Sequence, residues 1–281
     1  MDRFGSSALL LVATGVAAAT VARAGDFEYP PSAAALSAAS LAAWAVPSDL
    51  VSVKECRWCR ENGFDRFFQG SSRSPRKGAD LASWGTAVAE IGVALYAVRS
   101  SDGDAFGPRA GVVLNSGGAA AIVTQVAKYA FRRARPYTHA DGADPSCGKA
   151  DNCLSFFSGH TSITVALAVS AFTVNDLSGQ HGHKPEEWTA AGLAALTGVL
   201  RIRANKHYAT DVLTGAACGW LVGRTVPRWF HDASGSSSHP PAAFVPPPAV
   251  PVAGGRMSAS RDHTSWTLSA GRSSVAMNLH W

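Results

Sequence analysis

Hydrophobic and polar positions along this chain come in blocks. Apolar segments run over about 32–46, 79–99, 109–133, 160–177, 186–202 and 209–229, with polar loops between them. Pro31, Pro108, Pro185 and Pro227 punctuate them, as expected where helices start or stop. Their apolar content is mainly Ala, Val and Leu, and Ala loses no side-chain entropy in a helix. No strand-like alternation interrupts them. The pattern predicts an all-α bundle of about six core helices.

The two ends read differently. Ala8 to Ala22 is an apolar stretch behind Arg3, followed by the small-x-small triplet Ala22-Arg23-Ala24. This predicts a signal peptide over 1–24, with an uncleaved anchor as the alternative; either reading exports the remainder. A helical domain over 25–231 follows, then a Ser/Pro-rich linker over 232–255 that includes Pro246-Pro247-Pro248. In the last stretch, 256–281, Trp266, Leu268 and Ala270 alternate with polar residues, as do Val275, Met277, Leu279 and Trp281. A short C-terminal β-hairpin is expected there.

Helix length bears on the membrane question. Among the apolar segments, Ala110 to Ala127 is charge-free over 18 residues and Ser32 to Ser48 over 17. A bilayer span needs about 20 predominantly apolar residues. The preferred expectation is therefore a soluble or membrane-peripheral bundle, either periplasmic or on the outer face of the inner membrane. An integral multi-pass bundle of small-residue helices is the alternative. The formal charge of +5 suits anionic substrates or a membrane surface. No dense basic stripe with interleaved aromatics points to nucleic acid. Trp58 to Arg76, with Phe64, Phe67, Phe68 and several arginines, reads either as a membrane-surface element or as a loop packing its aromatics on the bundle, the latter preferred.

Five cysteines fit an oxidising compartment. Cys56 and Cys59 form a C-x-x-C pair without a surrounding βαβ pattern or a second ligand pair, which favours a structural disulfide over redox or zinc chemistry. Cys147 and Cys153 flank a polar loop, and the pairing among the four stays open. Cys218, in an apolar stretch, is expected as a buried free thiol.

Three clusters carry candidate chemistry. Lys128 and Arg135 are seven apart, two helical turns, with Pro136 ending the helix; they form an anion clamp or a solvated basic face with Arg132 and Arg133. Phe157-Ser158-Gly159-His160-Thr161 precedes an apolar helix, so backbone N–H groups at its positive end face His160. His207 and Asp211 are four apart, close enough for a carboxylate to fix an imidazole tautomer, and Arg201 lies just upstream.

Together these clusters resemble the signature of the superfamily that groups type 2 phosphatidic acid phosphatases, bacterial class A acid phosphatases and vanadium haloperoxidases. Lys128-x6-Arg135-Pro136 matches fully. Ser158-Gly159-His160 matches with Phe157 in place of Pro, and Arg201-x5-His207-x3-Asp211 matches with Leu200 in place of Ser. The resemblance spans about residues 80–230 and implies a helical bundle with its site at one end. It implies catalytic His207, His160 and Asp211: His207 attacks phosphorus, Asp211 orients and charges that ring, and His160 serves the leaving oxygen and then water. Lys128, Arg135, Arg201 and the N–H groups of Ser158 and Gly159 would bind phosphate, with no metal or other cofactor. The expected partner is a phosphorylated small molecule or a lipid (di)phosphate. A vanadate-dependent haloperoxidase, with vanadate as cofactor, and a non-enzymatic membrane-associated bundle are the alternatives.

Overall fold

Helix-forming blocks rich in Ala and Gly let helices approach closely, and that closeness defines this architecture. The computed structural model describes residues 23–24, 27–45, 53, 55–69, 72–99, 103–142, 147, 150–180, 184–235, 265–271 and 274–280. The helices are α1 (Pro31–Ala45), α2 (Gly63–Phe68), α3 (Lys77–Ala97), α4 (Gly103–Phe131), α5 (Gly159–Leu177), α6 (Pro185–Arg203) and α7 (Ala209–Gly235). They belong to the first of two compact units, Met1–Pro241, the second being Ala242–Trp281. A two-residue ladder pairs Arg23–Ala24 with Phe27–Glu28. The expected signal segment otherwise lies outside the described residues, as does the linker beyond Gly235. The fold established is the helical one, and it does not extend to the hairpin expected over 256–281.

Several boundaries differ from the sequence expectation. Pro31 and Pro185 start helices, where the missing N–H costs nothing. Pro108 and Pro227 lie inside α4 and α7. Each gives up one backbone bond in a helix long enough to continue past it. α7 therefore runs through 232–235, which was expected as linker. The short helix α2 was not foreseen within 58–76.

α5 is central and packs against α3, α4, α6 and α7, while α1 packs on α4. One contact is unusually close. Gly215, Gly219 and Gly223 recur every fourth residue of α7 and face the α5 backbone. A Cβ at Gly215 would lie 2.7 Å from the Ser158 carbonyl oxygen, and one at Gly223 2.7 Å from that of Ala166.

Polarity across the helices is inverted relative to a soluble bundle. Many buried positions hold small or polar residues beside a smaller set of Val, Leu and Ile. The Thr86 and Thr197 hydroxyls meet at 2.8 Å between α3 and α6. Ser116 donates to Ser170 at 2.9 Å between α4 and α5. Asn175 donates to Glu187 at 2.5 Å and to the Ala97 carbonyl at 3.1 Å. Bulky apolar side chains face outward: Leu81 is 75% exposed, Val126 66% and Trp188 62%. Leu213, Trp220, Leu221 and Trp229 do the same along α7. Among the described residues, no exposed position of α3 between Leu81 and Tyr96, or of α6 between Trp188 and Val199, carries a charge.

Candidate active site

The pocket forms where five helix ends meet. α4 delivers Lys128 in its last turn and stops at Phe131. Arg132 then takes a left-handed φ of +45°, reversing the chain so that Arg133 and Arg135 turn inward. α5 starts behind Ser158, the last turn of α6 supplies Arg201, the following loop supplies Lys206 and His207, and α7 opens with Asp211 in its first turn. α3 contributes Asp80 from its own first turn.

His207 is buried. Its Nδ1 lies 2.8 Å from the carbonyl oxygen of Ser155, which accepts only, so Nδ1 carries the proton. Nε2 then holds the lone pair, and it lies 3.4 Å from Arg135. Burial, with the positive charges of Arg135, Arg201 and Lys128, holds the imidazole well below its usual range. A neutral ring with a defined tautomer is a competent nucleophile. Gln69, the residue that caps α2, donates to the His207 carbonyl at 3.2 Å, fixing the backbone behind it.

Asp211 departs from its expected place. Its Oδ2 is 3.7 Å from Nδ1, beyond hydrogen-bond reach, because Ser155 occupies that position. The carboxylate instead accepts from Arg133 at 2.5 Å, from the Ser155 hydroxyl at 2.5 Å and from the Tyr208 N–H at 2.9 Å. It fixes the two residues on either side of the imidazole rather than the ring itself. Arg133, which the sequence offered as part of a solvated face, is fully buried. It donates to Asp65 of α2 at 2.5 Å and stacks between Trp58 at 3.9 Å and Tyr208 at 4.1 Å. Asp65 also accepts from the N–H and hydroxyl of Thr210.

Lys128, Arg135 and Arg201, the cations expected to bind phosphate, lie within electrostatic reach of one another, with acidic companions that the sequence reading missed. Arg135 donates to the carboxylate of Asp151 at 2.5 Å and to the Lys206 carbonyl at 3.0 Å. Burial would raise the Asp151 carboxyl, but Arg135, Lys128 and Lys206 together hold it well below the usual range. Arg201 donates to Asp80 at 2.5 Å and to Ser83 at 3.1 Å, and Lys206 lies 3.6 Å from Asp80. Lys206 was also missed; its only sequence signal is its place one residue before His207.

His160 sits in the first turn of α5, its ring edge-to-face with Trp84 at 4.3 Å. The fields of Arg201, His207, Lys128 and Arg135 all reach it. The N–H of Ser158 does not point at the pocket: it donates to the Asp211 carbonyl at 3.0 Å. Helix geometry leaves the first-turn N–H groups of Gly159, His160 and Thr161 for an anion.

Two disulfides brace this end, Cys56–Cys59 and Cys147–Cys153. Sulfurs of both cluster within 4.8 Å, but as disulfides they are not thiolate ligands. They flank the backbone that sets the arginines: Asn152 accepts from the Arg135 N–H at 2.8 Å, and Trp58 accepts from Ala134 at 3.0 Å. Cys218 is a free thiol, half-buried rather than buried. The aromatics of α2 correct a further expectation. Phe67 is 83% exposed, and Phe64 and Phe68 are exposed beside it, so they do not pack on the bundle.

Residues 109–234 match the family model of the PAP2 superfamily. The chain is 40% identical over 80 residues to a lipid A 1-phosphatase of Porphyromonas gingivalis, an overlap of 28% of this chain and 16% of that protein. It therefore spans about one-sixth of that relative's length. A crystal structure described as the first transmembrane PAP2 type phosphatidylglycerolphosphate phosphatase, from Bacillus subtilis, aligns over 84% of this chain and 100% of its own at 20% identity, with a TM-score of 0.37. The matched stretch, somewhat under half of the chain, holds Lys128, Arg135, Ser158, Gly159, His160, Arg201, His207 and Asp211 in the order and spacing of the signature, and over that stretch the chain is similar to the PAP2 superfamily.

Proposed function

We propose that this protein is a membrane-embedded, metal-independent phosphatase that hydrolyses lipid phosphate monoesters through a phosphohistidine on His207. The observation that carries the reading is the state of that histidine: proton on Nδ1, lone pair on Nε2, and Nε2 beside Arg135. In the proposed reaction Nε2 attacks phosphorus as the ester P–O bond breaks, and His160 gives a proton to the leaving oxygen. His160 then takes a proton from water, the oxygen attacks phosphorus, the P–N bond breaks, and inorganic phosphate leaves. Lys128, Arg135, Arg201 and the α5 N–H groups neutralise the equatorial oxygens, so that positioned positive charge does the work a metal ion does elsewhere.

The inverted polarity of the helices supports placement in a bilayer. Bulky apolar groups facing water would be an aggregation hazard; facing lipid they are solvated, while small residues pack helix to helix. α4 over Ala105–Phe131 is long and apolar enough to cross a membrane. This favours the integral alternative over the soluble or peripheral bundle, with the pocket on the exported side at headgroup level. It also favours a lipid phosphate over a soluble monoester. The strands Ser265–Gly271 and Ser274–His280 would form the terminal hairpin.

The test is turnover of detergent-dispersed phosphatidic acid and of a soluble phosphomonoester in EDTA, wild type beside His207→Ala. Wild type should release phosphate from the lipid in chelator, and the variant from neither substrate. Turnover by His207→Ala, or wild-type activity abolished by EDTA and restored by a metal ion, would overturn the proposal.

A further inference from the structure

α2 is a short helix with two contrary faces. Inward, Asp65 and Gln69, four residues apart, hold Arg133, Thr210 and the carbonyl of His207. Outward, Phe64, Phe67 and Phe68 form one exposed aromatic cluster, with ring centroids 5.0 Å and 5.2 Å apart. Arg57, Arg60 and Arg66 are exposed around that cluster, and Arg76 and Lys77 lie exposed beyond it. Over 55–77 the one exposed acid among the described residues is Glu55. Asn62 caps the helix by accepting from the Asp65 N–H at 2.7 Å, so the local structure is made to stand at the surface.

Three phenylalanines ringed by arginines match an anionic lipid surface: rings enter the acyl boundary while guanidinium groups pair with phosphates. The position agrees, since α2 sits at the pocket end of the bundle, where a lipid's phosphate must arrive. We infer that α2 is a lipid-facing foot: Phe64, Phe67 and Phe68 insert into the headgroup layer of an anionic membrane beside the pocket. Through Asp65 and Gln69, α2 then positions the His207 loop while the substrate is presented. The inference rests on the membrane placement proposed above and adds the element that meets the lipid at the site.

The experiment uses the full chain in the Cys218→Ser background, reconstituted into phosphatidylcholine–phosphatidylglycerol vesicles. Spin labels are placed at Phe67→Cys or at Val88→Cys, the latter on the outer face of α3. Collision with oxygen and with an aqueous nickel complex reports depth. Both labels should be shielded from nickel, Phe67 more shallowly. A lipid-facing Val88 with an aqueous Phe67 overturns the inference and leaves the membrane placement standing; if both are aqueous, the placement itself fails. A Phe67 label shielded equally in lipid-free detergent would put protein, a second copy or the chain's own tail, on α2 and also overturn it. The triple variant Phe64→Ser/Phe67→Ser/Phe68→Ser should raise KM for lipid phosphate in vesicles by at least about tenfold. Its kcat/KM on a soluble phosphomonoester should stay unchanged. An equal fall on both substrates would make α2 a structural prop and overturn the inference.

Discussion

Arg133 and Arg135 stand two residues apart and live in opposite surroundings. Arg133 is closed in, with Asp65 and Asp211 on its nitrogens, aromatic rings on both faces and no solvent. Arg135 is equally buried at its base but shares Asp151, whose side chain remains 43% exposed, and it approaches Nε2 of His207. The first cation is fully spent on protein. The second has a half-exposed counter-ion, which an incoming phosphate would displace in the proposed reaction. On the proposed mechanism, what separates structural from substrate-binding charge here is whether the partner carboxylate can give way, not the arginine itself.

Replacing each residue tests that contrast. Arg133→Ala leaves two buried carboxylates without their cation and should cost about 3–5 kcal/mol of stability, read as a large fall in Tm in detergent. Arg133→Lys should not restore it, because an ammonium cannot bridge both acids and stack between two rings. A stable, inactive Arg133→Ala would place Arg133 with the substrate-binding cations and break the comparison.

Arg135→Gln should keep Tm near wild type and lower kcat/KM by about 100-fold or more, the scale for losing one preorganised charge-stabilising donor. It should also move the pH profile. His207 must be neutral to attack, and burial together with Arg135 holds it below its usual value, so the wild-type acid limb falls below about pH 6.5. Without Arg135 the imidazole protonates more readily and the limb should rise toward that value in kcat/KM on a soluble ester. An unmoved limb would separate Arg135 from the histidine.

The smallest effect belongs to the counter-ion. Asp151→Asn removes the carboxylate that competes with phosphate for Arg135. Partial exposure screens it, so product inhibition by inorganic phosphate should tighten by only about fivefold, roughly 1 kcal/mol. Weaker inhibition would mean that Asp151 aims Arg135 rather than competing for it.

Much of the pocket was legible because its residues sit at helical spacings inside short motifs. Lys128 and Arg135, or His207 and Asp211, are recognisable as pairs from local sequence alone. The companions were not. Asp65, Asp80 and Asp151 reach their arginines from other segments, and no local periodicity ties Asp80 to Arg201, 121 residues away. Arg133 was hidden by neighbours of its own kind in Arg132-Arg133-Ala134-Arg135. Helix positions were readable from apolar blocks, but their orientation was not. Counting charge-free length treats all apolar residues as equals, whereas the fold turns Leu81, Leu213, Trp188 and Trp220 outward and packs glycines between α5 and α7. The spacing of Leu213, Trp220 and Leu221 along one face of α7 was the available signal.

The glycine row of α7 has a bearing on chemistry that its packing alone does not suggest. The first turn of α5 holds His160, the proposed general acid and base, while the first turn of α7 holds Asp211, which supports the proposed nucleophile His207, so in that mechanism the gap between the two helices is also the gap between the two halves of the reaction. Gly215 sets that gap against the Ser158 carbonyl, one turn from the reacting groups. Gly219 and Gly223 repeat it deeper in the bundle. The row works as a gauge block: a single added methyl at Gly215 would wedge the helices apart at the jaws, and the catalytic alignment has no side chain of its own with which to take up the slack.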